Sequence, residues 1–428
     1  MSEVIDLLRE LVALPSVSGD EAACRDLLIR WFQARGVDVR AHGRNVIAVV
    51  EGTAGADSAA ARGAAAAGNA AGNRDAMASA SSSARRSLAT HAAHAAAADA
   101  ADAAGAAGAA GAREAAPERG LLLCSHTDVV PVGPGWTRDP WDAALHAGRI
   151  WGRGSNDAKS SVAAMAVVAA GVDPARLHGR LVLALVCDEE TGGEGIESCG
   201  KDLPACTAAV VGEPTGLDAC PGQRGLLRTS VIVQGRSAHA SRPAEGINAI
   251  ELAAHDVLAI QGLRFPDEHP LLGRATLQAT VINGGTRPNV IPGECTILTD
   301  GRPTPAYDNG RMLAMLRQAV RGEVVVKSQR FHPVVTAPDS EIVAIARAAS
   351  PTKTVRGFGG VSDLFHLRHL PGVVMGPGTS AASHAPDEWV AIEQVEMAVE
   401  AYAAIVAGYL GAGQASGARL PHAHPAAG

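Results

Sequence analysis

Three short apolar runs constrain this chain more than any other feature. Residues 121–124, 181–187 and 208–211 consist only of Leu, Val, Ala and Cys, and each breaks directly into a polar segment. Unalternated apolar runs of about 4–8 residues read as strands buried on both faces, the habit of parallel sheets covered by helices. Residues 160–170 supply one such buried helix, and residues 46–50 another short strand. The expected class is α/β, with a largely parallel sheet.

At 428 residues, the chain exceeds what one core usually organises. The pattern shifts near Leu226. Residues 229–233 and 275–281 look like half-buried strands, with a helix carrying Ile250, Ala254, Val257 and Leu258 between them. Residues 295–298 and 324–326 add strands, which gives this part α+β character. We therefore expect a smaller lid and dimerisation domain at 226–332, inserted into a discontinuous catalytic domain made of 1–225 and 333–428. At the N-terminus, Ser2 is placed to cap a helix whose buried stripe is Val4, Leu7, Leu8, Leu11 and Val12.

Two segments fall outside this scheme. Residues 52–119 are Ala with Gly, Ser, Asn and Arg and hold almost nothing large and apolar, so they read as a disordered insertion in a surface loop. Residues 411–428 read as a flexible tail. The net charge of −7 offers no footprint for nucleic acid or an anionic membrane. No stretch of about 18 apolar residues suggests a membrane span. Glu3, Asp6 and Glu10 argue against a signal peptide, and an odd count of 7 cysteines with no CxxC argues for a reducing, cytoplasmic setting.

The polar segments after the apolar runs carry the chemistry. The first is Ser125-His126-Thr127-Asp128, where an extended chain puts His126 and Asp128 on one face. A carboxylate beside a histidine fixes its tautomer for metal binding. The second, Asp188-Glu189-Glu190, places three acids at a buried strand end, which is costly unless the charge is used. Gly212-Glu213-Pro214 follows the third run, and Ser383-His384-Ala385-Pro386-Asp387 lies near the C-terminus. Asp157 precedes a helix, where a plain N-cap would also account for it. Each feature alone is weak.

Together they resemble the M20 family of metallopeptidases and N-acyl-amino-acid deacylases. The motifs are SHTD at 125–128, GRGSNDAK at 152–159, CDEETGG at 187–193, VGEPTG at 211–216, GRSAHASRP at 235–243, GGTRPNVIPGE at 284–294 and SHAPDE at 383–388. The resemblance implies two zinc-type ions per subunit, for which cobalt or manganese could substitute. By motif, His126 and Glu213 would hold one ion, Glu190 and His384 the other, and Asp157 would bridge them. Asp128 would support His126, Glu189 would be the general base, and the peptide after Asp157 would be cis. His239 would reach the site from the partner subunit of a homodimer. Asn289 and Arg302 would meet a substrate carboxylate, and Gly360 belongs to a substrate-side loop. Gly301 departs from the bulky residue usual beside Arg302.

The implied substrate is a small-molecule N-acyl amino acid. Gly376-Pro377-Gly378 ahead of SHAPDE, with residues 211–215, most resembles the acetylornithine deacetylases, a branch that serves arginine biosynthesis. Gly359-Gly360-Val361-Ser362-Asp363 is similar to the succinyl-diaminopimelate desuccinylases, and dipeptidases or carboxypeptidases form a third alternative. A binding homologue without turnover is disfavoured, because Glu189 and all the ligand positions are filled.

Overall fold

The computed structural model describes residues 2–53 and 119–411. The bulk of the Ala-rich insertion and all but the first residue of the tail lie outside the described residues.

A six-stranded sheet runs in the order Asp38–His42, Asn45–Glu51, Arg180–Val186, Gly120–His126, Ala208–Val211, Gly372–Val374. The last four strands are parallel, and the first two form an antiparallel edge. The sheet is thus mixed, with a parallel centre at the three apolar runs. Alternate residues of these runs serve opposite faces, as the two-residue period of a strand requires. Leu121, Leu123, Leu181, Leu183 and Val210 meet the helices Glu3–Val12, Lys159–Gly171 and Ile392–Leu410 on one side. Leu122, Val182, Val186 and Val211 meet Ile196, Phe358 and Leu364 on the other.

Ser2 occupies the N-cap position, but its hydroxyl makes no cap and donates to Glu396 Oε1 at 2.7 Å. Lys159, wholly buried, donates its Nζ to the carbonyls of Leu11 and Leu14 at 2.9 and 2.8 Å. It thereby ties the end of the first helix, and the turn after it, to the start of the Lys159–Gly171 helix.

Residues 227–328 build a separate antiparallel sheet, ordered Thr276–Gly284, Glu294–Arg302, Leu227–Gln234, Glu323–Ser328. Helices Ala249–Gly262 and Asn309–Ala319 contribute to its own core with Val231, Ile297, Ala253, Ile260, Met312 and Leu316. Gly301 has a packing reason here: a Cβ would lie 2.7 Å from the Met312 sulfur and 3.0 Å from a Leu277 methyl. Among the described residues, no helix is long and apolar enough to cross a membrane.

Candidate metal centre

Parallel strands bring their C-terminal ends to one edge, where open α/β sheets place ligands. His126 is the last residue of its strand and pairs in register with Val186, while Cys124 pairs with Val211. The segments carrying His126, Glu189, Glu190 and Glu213 therefore emerge side by side. Asp157 arrives from the loop before the Lys159–Gly171 helix. The helix is preceded by Ala158, so Asp157 is not its cap. The Asp157–Ala158 peptide is cis.

The Asp157 carboxylate lies between two histidines. Its Oδ1 is 3.2 Å from His126 Nε2, and its Oδ2 is 3.6 Å from His384 Nε2. Glu213 Oε1 sits 3.9 Å from His126 Nε2, and Glu190 Oε1 sits 3.0 Å from His384 Nε2. His126 and Glu213 are buried, whereas the His384 side chain is 52% exposed and opens the site to solvent. His126 Nδ1 faces the Asp128 carbonyl at 2.9 Å and Asp128 Oδ1 at 3.5 Å. Both are acceptors, so Nδ1 carries a hydrogen, and Nε2 is the ring atom turned to the cluster.

Electrostatics show what the cluster could hold. Burial, reinforced by the charge of Glu213, pushes the Glu189 carboxyl well above its usual range. Burial likewise pushes up Glu213, with Asp157 adding to the effect. Burial raises Asp363, behind Cys124, to about 7. Burial would lower His126, but Asp128 and Asp157 outweigh it and hold the ring well above the ordinary histidine value. This many buried carboxylates around two imidazoles call for added positive charge. The donors are oxygen and nitrogen only, at spacings that suit divalent metal ions.

Several supporting residues were not singled out by the sequence. Glu388 ends the SHAPDE motif and is wholly buried. Its Oε1 accepts the backbone N–H groups of Gly154, Asn156 and Asp157 at 3.1, 3.0 and 3.0 Å. Its Oε2 receives Arg153 Nη1 at 2.6 Å. Arg153 Nη2 also reaches the His384 carbonyl at 3.4 Å, so one buried ion pair holds the loops of Asp157 and His384. The charge opposition of Arg153 and Glu388 within two of the motifs was the available signal.

Other sequence-predicted residues lie apart. His239 is exposed, with Nδ1 2.7 Å from Ser241 Oγ. It pairs with Val290, and the Ala240 N–H donates to the Asn289 carbonyl at 2.9 Å, so His239 and Asn289 are neighbours on the second sheet's rim. Arg302 Nε donates to Asp300 Oδ1 at 2.7 Å. Gly360 packs beside the Phe358 ring. Among the described residues, no hydrogen bond or ion pair joins His239, Asn289 or Arg302 to the acidic cluster.

The profile of peptidase family M20/M25/M40 matches residues 122–408, which contain every one of these cluster residues. This chain belongs to that family. As an M20 protein it is a metal-dependent amidohydrolase. It is 30% identical over 292 residues to an acetylornithine deacetylase of Pectobacterium carotovorum subsp. carotovorum strain PC1, covering 63% of this chain and 75% of that enzyme. Its fold is similar to a tripeptidase from Staphylococcus aureus, with a TM-score of 0.67, 18% identity and coverage of 94% and 97% of the two chains. A dinuclear metal-binding M20 peptidase of Bacillus subtilis is similar at a TM-score of 0.60, with 14% identity and coverage of 94% and 96%.

Proposed function

We propose that this enzyme deacylates an N-acyl amino acid of the N-acetylornithine type. His126, Glu213 and Asp157 would hold one divalent cation, and His384, Glu190 and Asp157 a second. The observation that carries this reading is the Asp157 carboxylate, with one oxygen turned to each histidine. The donor set favours zinc, with cobalt as a substitute. When bound, the cations supply Lewis acidity, acidifying water and polarising the amide carbonyl.

The chain's own residues do the rest. Glu189 takes a proton from the attacking water and returns it to the leaving amine nitrogen as the C–N bond breaks. The water oxygen ends in the released carboxylate. Burial, with the charge of Glu213, raises the proton affinity of Glu189 above that of an ordinary carboxylate. Asp128 fixes the His126 tautomer.

We assign residues 226–332 to a lid and dimerisation domain. The outer strand Thr276–Gly284 exposes Val281 and Ile282, the latter 50% exposed, and Ile250 and Leu258 stand out on the adjoining helix. Among the described residues no strand pairs with its outer edge, and an edge strand with apolar neighbours fits a second copy of the chain. In a homodimer, His239 of one subunit would complete the site of the other. Seven free cysteines fit a cytoplasmic enzyme.

The test is a deacylation screen of the zinc-loaded enzyme with N-acetylornithine, N-acetylcitrulline, N-acetyllysine, N-succinyl-diaminopimelate and dipeptides. Preferential release of acetate from N-acetylornithine supports the proposal, and a place in arginine biosynthesis would follow. Cleavage of dipeptides alone, or of the succinyl compound alone, defeats it. Sedimentation of wild type against Ile282→Asp tests the dimer.

A further inference from the structure

We propose that Arg44, in the turn between the two antiparallel edge strands, is a positioning residue that fixes the loop presenting Glu189. The inference rests on the reading of Glu189 as the proton acceptor.

Asp188 immediately precedes Glu189 and has a left-handed φ of 57°. A non-glycine residue holds that conformation more readily when its side chain is tied. Arg44 supplies the tie. Its Nη1 donates to Asp188 Oδ1 at 3.1 Å, and its Nη2 donates to Asp188 Oδ2. Nη1 also donates to Glu21 Oε2. A planar guanidinium suits this fork between two carboxylates, and the two acids drive its pKa upward.

The tie closes into a ring around the base. Glu21 Oε1 accepts the Gly19 N–H at 2.8 Å. The adjacent Ser18 hydroxyl donates to Asp128 Oδ2 at 2.7 Å. Asp128 in turn accepts the backbone N–H groups of Glu189 and Glu190 at 3.1 and 3.2 Å. Asn45, next to Arg44, spans the loop from its other side. Its Oδ1 accepts the Cys187 N–H at 3.0 Å, and its Nδ2 donates to the Gly195 carbonyl at 2.9 Å. The backbone of Glu189 is therefore held through Asp188 by one route and through Asp128 by another.

Charge explains why an arginine is needed. Glu21, Cys187 and Asp188 bring ligand atoms within 4.8 Å of one another, a grouping that could pass for a metal site. Arg44 already pairs with both carboxylates, so the cation there is a side chain. Without it, two buried acids repel one residue from the base. Displacement of a catalytic group by about 1 Å can cost on the order of 100-fold in rate.

The experiment compares zinc-loaded wild type, Arg44→Ala, Arg44→Lys and Glu189→Gln on the fastest-cleaved N-acetyl amino acid. Measured are kcat, KM, Tm and bound zinc, together with amide hydrogen exchange on the metal-free chains. Arg44→Ala should lower kcat by about 10- to 100-fold with KM within about 2-fold and zinc content unchanged. Arg44→Lys should fall between, and free guanidinium ion should recover part of the loss in Arg44→Ala. Exchange at the amides of Glu189 and Glu190 should quicken about tenfold, with strand Arg180–Val186 unaffected. Unimpaired kcat in Arg44→Ala overturns the inference. So does a loss that tracks Tm, quickens exchange throughout and ignores guanidinium. If Glu189→Gln turns over normally, the reading of the base itself fails. If Glu189→Gln is inactive and Arg44→Ala is not impaired, only the role of Arg44 falls.

Discussion

The Asp128 carboxylate accepts the backbone N–H of Glu189 at 3.1 Å, while its own carbonyl faces His126 Nδ1 at 2.9 Å. One residue therefore couples the ring that would bind metal to the loop that carries the proposed base. The pairing of His126 with Asp128 was expected from their i and i+2 spacing. The bonds from Asp128 to Glu189 and Glu190 were not.

Asp128→Asn keeps the size of the side chain but turns an N–H2 group toward backbone N–H donors or the histidine. We expect a loss of about 10- to 100-fold in kcat/KM or in zinc affinity, with little change in Tm. Steady-state kinetics and zinc titration check this. Wild-type values for both would show that the coupling has no functional weight.

Breaking the Arg153–Glu388 pair by Glu388→Ala strands a buried guanidinium and three backbone N–H groups. The expected cost is about 3–5 kcal/mol of stability. Glu388→Gln, which retains an acceptor, should cost less. Urea midpoints measure both, and a shift below about 1 kcal/mol for Glu388→Ala would count against the pair as the fastener of the Asp157 loop.

His366, beside the Gly192–Gly193 turn, gives a pH signature of its own. Burial and the Arg330 charge lower its pKa to about 4, and Arg330 Nη2 lies 3.2 Å from the unprotonated Nε2. The unfolded chain binds this proton below the usual value near about 6.5, and the folded chain does not. The stabilising effect of the neutral ring is therefore complete above about pH 6.5 and lost as pH falls toward 4. Because the ring is partly solvated, the effect should be on the order of 1–2 kcal/mol. Wild type should lose more stability than His366→Gln between pH 7 and pH 4.5. Parallel losses would refute the assignment.

Chelation should abolish hydrolysis and lower Tm by several degrees, since a ligand that binds only the folded state stabilises it. Re-addition of zinc should restore both. A chelator-treated enzyme, verified free of metal, that kept its activity would contradict the proposed chemistry.

Much of the fold was legible in local sequence. The runs at 121–124, 181–187 and 208–211 became strands because nothing in them tolerates water. The edge strand Asp38–His42 and the helix Ala22–Gln33 gave little signal, since the first is half-exposed throughout and the second buries only a thin stripe. His126, Glu190 and Glu213 stood out as polar residues just after apolar runs, where burial without a use would be costly, whereas Asp157 and His384 joined them through the family resemblance.

Sequence therefore determined the sheet's buried centre, and through the M20 resemblance it pointed to His126, Asp157, Glu190, Glu213 and His384 as a set. Tertiary structure decided what holds them. Glu388 lies 231 positions from Asp157, and Arg44 lies 144 from Asp188. Such pairings depend on how strands and loops meet in space, and a linear pattern of residue types contains no distance between them. A buried charge can be read as needing a partner, but only the fold supplies which one.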